Sequence, residues 1–255
     1  MLKIFTDEIS LSKNLAIFIL KKIKIKKNLV LGCPSGRSLK KTYYYLGILS
    51  KSMNIDISKL KIVMMDEFII KKNNKYQLCN NNSHYSCIGY ANKTIKKFLN
   101  YKKKKNQKFL SSNIYYPNIY KTSDFDIFIK KIGGIDIFLL ASGSSDGHVA
   151  FNNSKTKINT PSHIIKLSYL TRKDNLKSFP KFKSISDVPK YGVTIGLKTI
   201  YKYTKIAILV LSGKEKKIAA QNILTRKSFT NKWPASIIYK CKKKYIYIDK
   251  LAKNY

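Results

Sequence analysis

The sequence predicts an α/β fold, a three-layer α/β/α sandwich built on a mostly parallel sheet. Three observations lead there. Apolar runs of strand length recur at 29–33, 60–65, 135–140 and 205–211. Each run ends abruptly in small or acidic residues. Stretches with helical period alternate with the runs, and a repeated strand–turn–helix rhythm implies parallel strands joined by crossover helices. At 255 residues the chain fits one domain, 1–255, with no internal repeat.

In order, the first helix is expected over 10–26, with Ser10 or Ser12 as its cap. Leu11, Leu15, Phe18, Ile19 and Ile23 form its apolar face, and Asn28 breaks it. The strand at 29–33 runs into Pro34-Ser35-Gly36-Arg37-Ser38 and then a helix over 39–51. Free backbone N–H groups, two hydroxyls and a helix dipole at that joint favour a phosphate. A tight turn with serine caps fits the same residues. The loop has neither the Walker ending nor the dinucleotide glycine fingerprint.

The strand at 60–65 ends in Asp66-Glu67, in the zone where ligands collect on parallel sheets. Among apolar neighbours one carboxyl could act as a base with a raised pKa. A helix cap or a structural ion pair is the alternative. Residues 68–90 read as a long loop with a little helix, with His84 at the surface. A helix over 91–100, a basic exposed connection over 101–113 and a short strand over 114–119 follow. Ser123-Asp124-Phe125-Asp126 opens a helix that Gly133-Gly134 closes.

The buried strand at 135–140 empties into Ala141-Ser142-Gly143-Ser144-Ser145-Asp146-Gly147-His148. Asp146 can orient His148, and an imidazole moves protons near neutral pH. Taken alone, the pattern fits a solvated polar turn equally well. Beyond it come a polar loop over 153–161, a short strand over 164–167 and a helix within 171–179. An extended segment over 188–196 and the strand at 205–211 follow. A helix over 215–225 and a final strand pair near 237–239 and 245–248 complete the chain.

The formal charge is +38, from 51 basic and 13 acidic residues. Such a charge points first to nucleic acid or an anionic membrane. Arginine, whose planar fork reads phosphate and guanine, occurs only as Arg37, Arg172 and Arg226. Enrichment in Lys, Asn, Ile, Tyr and Phe runs through the whole chain, as in drift toward A+T-rich codons. Non-specific polyanion binding at low salt is therefore expected, and a specific nucleic-acid partner is not. Cys33, Cys79, Cys87 and Cys241 show no zinc spacing and read as free thiols in a reducing cytoplasm. No apolar run reaches membrane length, and the short one at 15–20 reads as helix rather than signal peptide.

Several segments, in order, resemble the glucosamine-6-phosphate deaminase family. They are Leu31-Gly32-Cys33-Pro34-Ser35-Gly36-Arg37-Ser38, Met65-Asp66-Glu67-Phe68, Gly143-Ser144-Ser145-Asp146-Gly147-His148-Val149-Ala150-Phe151-Asn152 and Val188-Pro189-Lys190-Tyr191-Gly192-Val193-Thr194-Ile195-Gly196. Leu211-Ser212-Gly213 with Lys216, and Lys232-Trp233-Pro234, follow in family order. The related 6-phosphogluconolactonases carry Arg after Asp-Glu, where this chain has Phe68, and a different run after the acid.

The resemblance implies a modified Rossmann-like fold and a small-molecule sugar phosphate as ligand. It also implies ring opening, isomerisation between C1 and C2 and loss of ammonia, with no metal or coenzyme. By motif match, His148 shuttles the ring-opening proton, Asp146 orients it and Asp66 is the C2–C1 base. Ser35, Gly36, Arg37 and Ser38 hold the phosphate, with Lys216 and Lys177 adding charge. Lys177 stands where the family more often has Arg, Arg37 replaces a glycine, and Asn153 follows Phe-Asn where many members have Glu. The chain also stops without the longer carboxyl-terminal region of allosteric hexameric members, so such regulation is not expected. Competing readings are a lactonase-like or other sugar-phosphate enzyme, a sugar-phosphate-binding protein without catalysis, and an RNA-binding surface. Whether the chain acts alone or as a homo-oligomer stays open.

Overall fold

A computed structural model describes residues 1–253; the last two residues of the expected domain 1–255 lie outside the described residues. Seven strands form a parallel sheet in the order β1-β11-β10-β7-β2-β3-β6. They are β1 (Leu2–Phe5), β2 (Val30–Cys33), β3 (Lys61–Met64), β6 (Ile114–Tyr115), β7 (Ile135–Ala141), β10 (Thr204–Leu211) and β11 (Lys243–Asp249). The central strands bury both faces, as the continuous apolar runs require.

Alternation along each strand builds the two outer layers. Ile137 and Leu139 of β7 join Leu31, Ile62 and Ile208 beneath α1 (Glu8–Ile25) and α2 (Lys40–Ser52). The same layer takes the helical run α3 (Cys87–Tyr90), a π turn (Ala91–Ile95) and α4 (Lys96–Leu99). Phe138 and Leu140 face the other way, onto α5 (Thr122–Lys131), α7 (Leu197–Tyr203), α8 (Lys217–Arg226) and α9 (Lys250–Lys253). A polar helix, α6 (Tyr169–Ser178), lies over the carboxyl edge of the sheet. At position 32 only glycine fits: a Cβ there would come within 2.2 Å of the Phe138 ring on the neighbouring strand.

A second, antiparallel sheet was not anticipated. Its order is β5-β4-β9-β8, from β4 (Asp66–Lys72), β5 (Lys75–Leu78), β8 (His163–Lys166) and β9 (Tyr191–Thr194). The first half of the expected loop over 68–90, through Leu78, is thus a hairpin. Its turn places Asn73 and Asn74 at φ 47° and 57°, the paired left-handed geometry of a two-residue hairpin. β4 begins one residue after β3, and Ile195 N–H donates to Met65 O at 2.8 Å across the junction. Asp66 and Glu67 therefore open a strand rather than a loop.

Other expectations shift with local chemistry. The α1 cap is Asp7, whose carboxylate accepts from Ser10 N–H at 2.8 Å while the Ser10 hydroxyl accepts from Asp7 N–H. The α5 cap position is Lys121, with no side-chain cap, so Asp124 sits inside the first turn rather than at its start. Of the final strand pair only β11 exists: Pro234–Lys240 is a 3-10 turn, started by proline and buried through Ile238. No helix among the described residues is long and apolar enough to cross a membrane.

Candidate active site

The loop after β7 is built around His148. Its Nδ1 shares a 2.6 Å hydrogen bond with Asp146 Oδ1. Asp146 Oδ2 accepts from the hydroxyls of Ser168 and Thr171, each at 2.8 Å. Burial pushes the Asp146 carboxyl up, but the His148 hydrogen bond and charge, with the two hydroxyls, outweigh it and hold the group well below the ordinary range. Ser168 is the N-cap of α6, so the same helix start steers the pair. Nothing among the described residues bonds the other ring nitrogen of His148, and the ring lines the cleft.

The neighbours of the pair explain their residue types. A Cβ at Gly143 would lie 2.2 Å from His148 Nδ1. Gly147 holds φ +64° under the Trp233 ring, 2.3 Å from where a Cβ would stand. Trp233 Nε1–H donates to Ser142 Oγ at 3.2 Å, tying the 3-10 turn to the loop. Asn152, fully buried, donates to Val149 O at 3.0 Å and Ile195 O at 2.7 Å.

Asp66 and Glu67 have opposite roles. Glu67 accepts from five donors: the N–H groups of Phe68, Cys87 and Ile88, the Ser86 hydroxyl and the Cys79 thiol. It anchors the amino end of α3. Asp66 is 6% exposed, and its Oδ1 has no hydrogen-bond partner among the described residues. Burial is the main force raising its carboxyl to about 7; the Cys87 thiol pulls it down, the Glu67 charge adds to the rise, and His148 opposes it.

The phosphate-binding candidate is the β2–α2 loop. Gly36 holds φ +88°. Tyr90 Oη donates to Gly36 O at 2.8 Å and Tyr43 Oη to Pro34 O at 2.7 Å, so two tyrosines staple the loop. No side chain caps α2 at Leu39; Lys40 N–H turns back to Arg37 O at 3.1 Å, which leaves the N–H groups of Lys41 and Thr42 for a ligand. Lys216 is buried and donates to Ser142 O at 2.7 Å and Ser144 Oγ at 3.2 Å. Burial lowers its pKa, against the neighbouring charges of Glu215 and Asp174.

One cleft of about 550 Å³ gathers Ser35, Gly36, Arg37, Ser38, Asp66, His148, Lys177 and Lys216 at its walls. Asp146 stands behind His148. Sequence reasoning missed Tyr43, Tyr90, Ser168, Thr171 and Asp174; α6 has almost no apolar period to reveal its buried side, and Tyr90 falls in the aperiodic stretch. Asp146, His148 and Asp174 form a trio close enough to share a cation, each offering one atom within 4.8 Å of the others. Hydrogen bonds to protein groups already occupy both oxygens of Asp146 and of Asp174. His84 is exposed, edge-on to Phe182 with ring centroids 4.5 Å apart, and is not among the cleft residues.

An acid–base pair, a buried carboxyl and a cationic loop at the carboxyl edge of one parallel sheet define an α/β enzyme. No family model matches the chain. Curated relatives do. A glucosamine-6-phosphate deaminase of Malacoplasma penetrans is 31% identical over 89% of this chain and 89% of its own length. One from Thermoanaerobacter sp. is 31% identical over 96% and 90%. Among solved structures, a monomeric glucosamine-6-phosphate deaminase of the NagB superfamily superposes with TM-score 0.86 at 25% identity, covering 99% of this chain and 98% of that one. A 6-phosphogluconolactonase from Leishmania guyanensis, 18% identical over 99% and 97%, shares the fold with TM-score 0.69. The chain belongs to the glucosamine-6-phosphate deaminase family.

Proposed function

We propose that this chain converts glucosamine 6-phosphate and water to fructose 6-phosphate and ammonia. The observation that carries the reading is Asp66: a buried carboxyl titrating near 7, with one unpartnered oxygen, in the same cleft as His148. A group poised at half-protonation can both take and return a proton. His148, oriented by Asp146, moves the proton that opens the sugar ring. Asp66 then takes the C2 proton of the open chain and delivers it to C1, leaving an imine at C2. Water adds to that carbon and ammonia leaves. Ser35, Gly36, Arg37, Ser38, Lys177 and Lys216 hold the phosphate, which keeps C1 and C2 between Asp66 and His148.

Phe68 favours this reading over a lactonase. It is fully buried against Phe151, with ring centroids 4.9 Å apart, and contributes no cation. Four buried, unpaired cysteines support a cytoplasmic setting, and two apolar layers sharing one sheet support treating 1–255 as one domain. The test is release of ammonia and fructose 6-phosphate from glucosamine 6-phosphate, lost in Asp66→Asn and His148→Gln. Wild-type protein that binds the substrate yet releases no ammonia would overturn the proposal.

A further inference from the structure

Asp174 reaches the catalytic loop from α6. Its Oδ2 accepts from the N–H groups of Ser144 and Ser145 at 3.0 and 3.2 Å, and its Oδ1 from the Ser145 hydroxyl at 2.6 Å. One of its oxygens, one oxygen of Asp146 and one ring nitrogen of His148 lie within 4.8 Å of one another. Asp174 lines the cleft beside His148, and no ion pair among the described residues neutralises it. The charged groups around His148 are Asp146 on its own loop, Asp66 on β4, Asp174 and Lys177 on α6, Arg37 before α2, and Glu215 with Lys216 before α8. Asn153 supplies no charge, and its amide oxygen accepts from Lys155 N–H at 3.0 Å within its own turn.

We propose that Asp174 is a positioning residue for His148, a second carboxylate that favours the imidazolium and fixes the Ser144–Ser145 backbone beside it. The proposal rests on His148 being the proton carrier. Asp146 spends its charge on the ring and two hydroxyls, all directional bonds. Asp174 bonds backbone and hydroxyl groups of the loop instead, so its charge acts on the ring through space. When His148 takes up the ring-opening proton, two carboxylates then flank the cation.

The experiment is an NMR titration of the intact, ligand-free chain, with the His148 signal assigned by its loss in His148→Gln. Asp174→Asn keeps the shape and removes the charge. The His148 midpoint should fall by about one pH unit, with His84 and His163 unmoved, and should return in Asp174→Glu. In the ammonia assay Asp174→Asn should lower kcat by about tenfold, with KM changed less than twofold. An unmoved His148 midpoint in folded Asp174→Asn overturns the proposal, since a purely structural role would cost stability alone. If that variant does not fold, Asp174→Ser is judged by the same midpoint. A wild-type chain without deaminase activity overturns the catalytic reading but leaves the midpoint test standing, so the two failures are distinguishable.

Discussion

Asp66→Asn should make the protein more stable while abolishing its activity. The Asp66 carboxyl moves from an ordinary 3.8 in the unfolded chain to about 7 in the fold. Between those values the folded chain holds a proton that the unfolded chain has released. Stability therefore falls as pH rises through this window and is lowest above pH ~7. At ~1.4 kcal/mol per pH unit, the ionised carboxylate costs the fold about 4 kcal/mol. Asparagine has no such ionisation. The variant should gain roughly 4 kcal/mol at pH 8 and almost nothing at pH 4, with Tm higher by about 10 °C at pH 8. Urea unfolding of both proteins at pH 4, 6 and 8, followed by circular dichroism, measures the difference. The reasoning fails if the gap is the same at pH 4 and pH 8, or if the variant is the weaker protein at pH 8.

Two neighbours should respond differently. Glu67→Gln leaves buried donors at the start of α3 facing an amide N–H₂, and should cost about 3 kcal/mol, read as a lower urea midpoint with an unchanged slope. Lys216→Met removes a buried cation from the phosphate end of the cleft, and should raise KM for glucosamine 6-phosphate by about a hundredfold, more than it lowers kcat. A kcat loss with KM unchanged would move Lys216 away from the phosphate.

Much of the parallel sheet was legible because buried strands read as short apolar runs. The antiparallel sheet was half legible: β8 and β9 match the strand expected over 164–167 and the extended segment over 188–196, but the hairpin of β4 and β5 did not show. β5 and the outer end of β4 are exposed and lysine-rich, and their turn is Asn73-Asn74 rather than a glycine pair. The same miss hid the division between Asp66 and Glu67. Both follow a strand, but only the hairpin and the return of α3 put five donors on one carboxylate and none on an oxygen of the other. The site motifs were readable because they encode local constraints: Gly143, Gly147 and Asn152 are fixed by van der Waals contact and backbone hydrogen bonds around His148. Asp174 and Tyr90 arrive from distant segments whose polar or aperiodic sequence does not announce a destination.

Strand β1 pairs with β11, Leu2 against Ile246, across nearly the whole chain. At about 5–20 residues per second, a ribosome needs roughly 10–50 s to deliver the last strand after the first. For about the last 2–8 s of that interval, while residues 212–249 are made, the β10 edge that β11 will cover stands open, beside a β1 with nothing to bind. Open edges invite pairing with other chains. The +38 charge supplies a repulsion between nascent copies that is in force from the first lysines onward. A lysine excess with no assigned ligand thus has a physical consequence in the period before the fold closes.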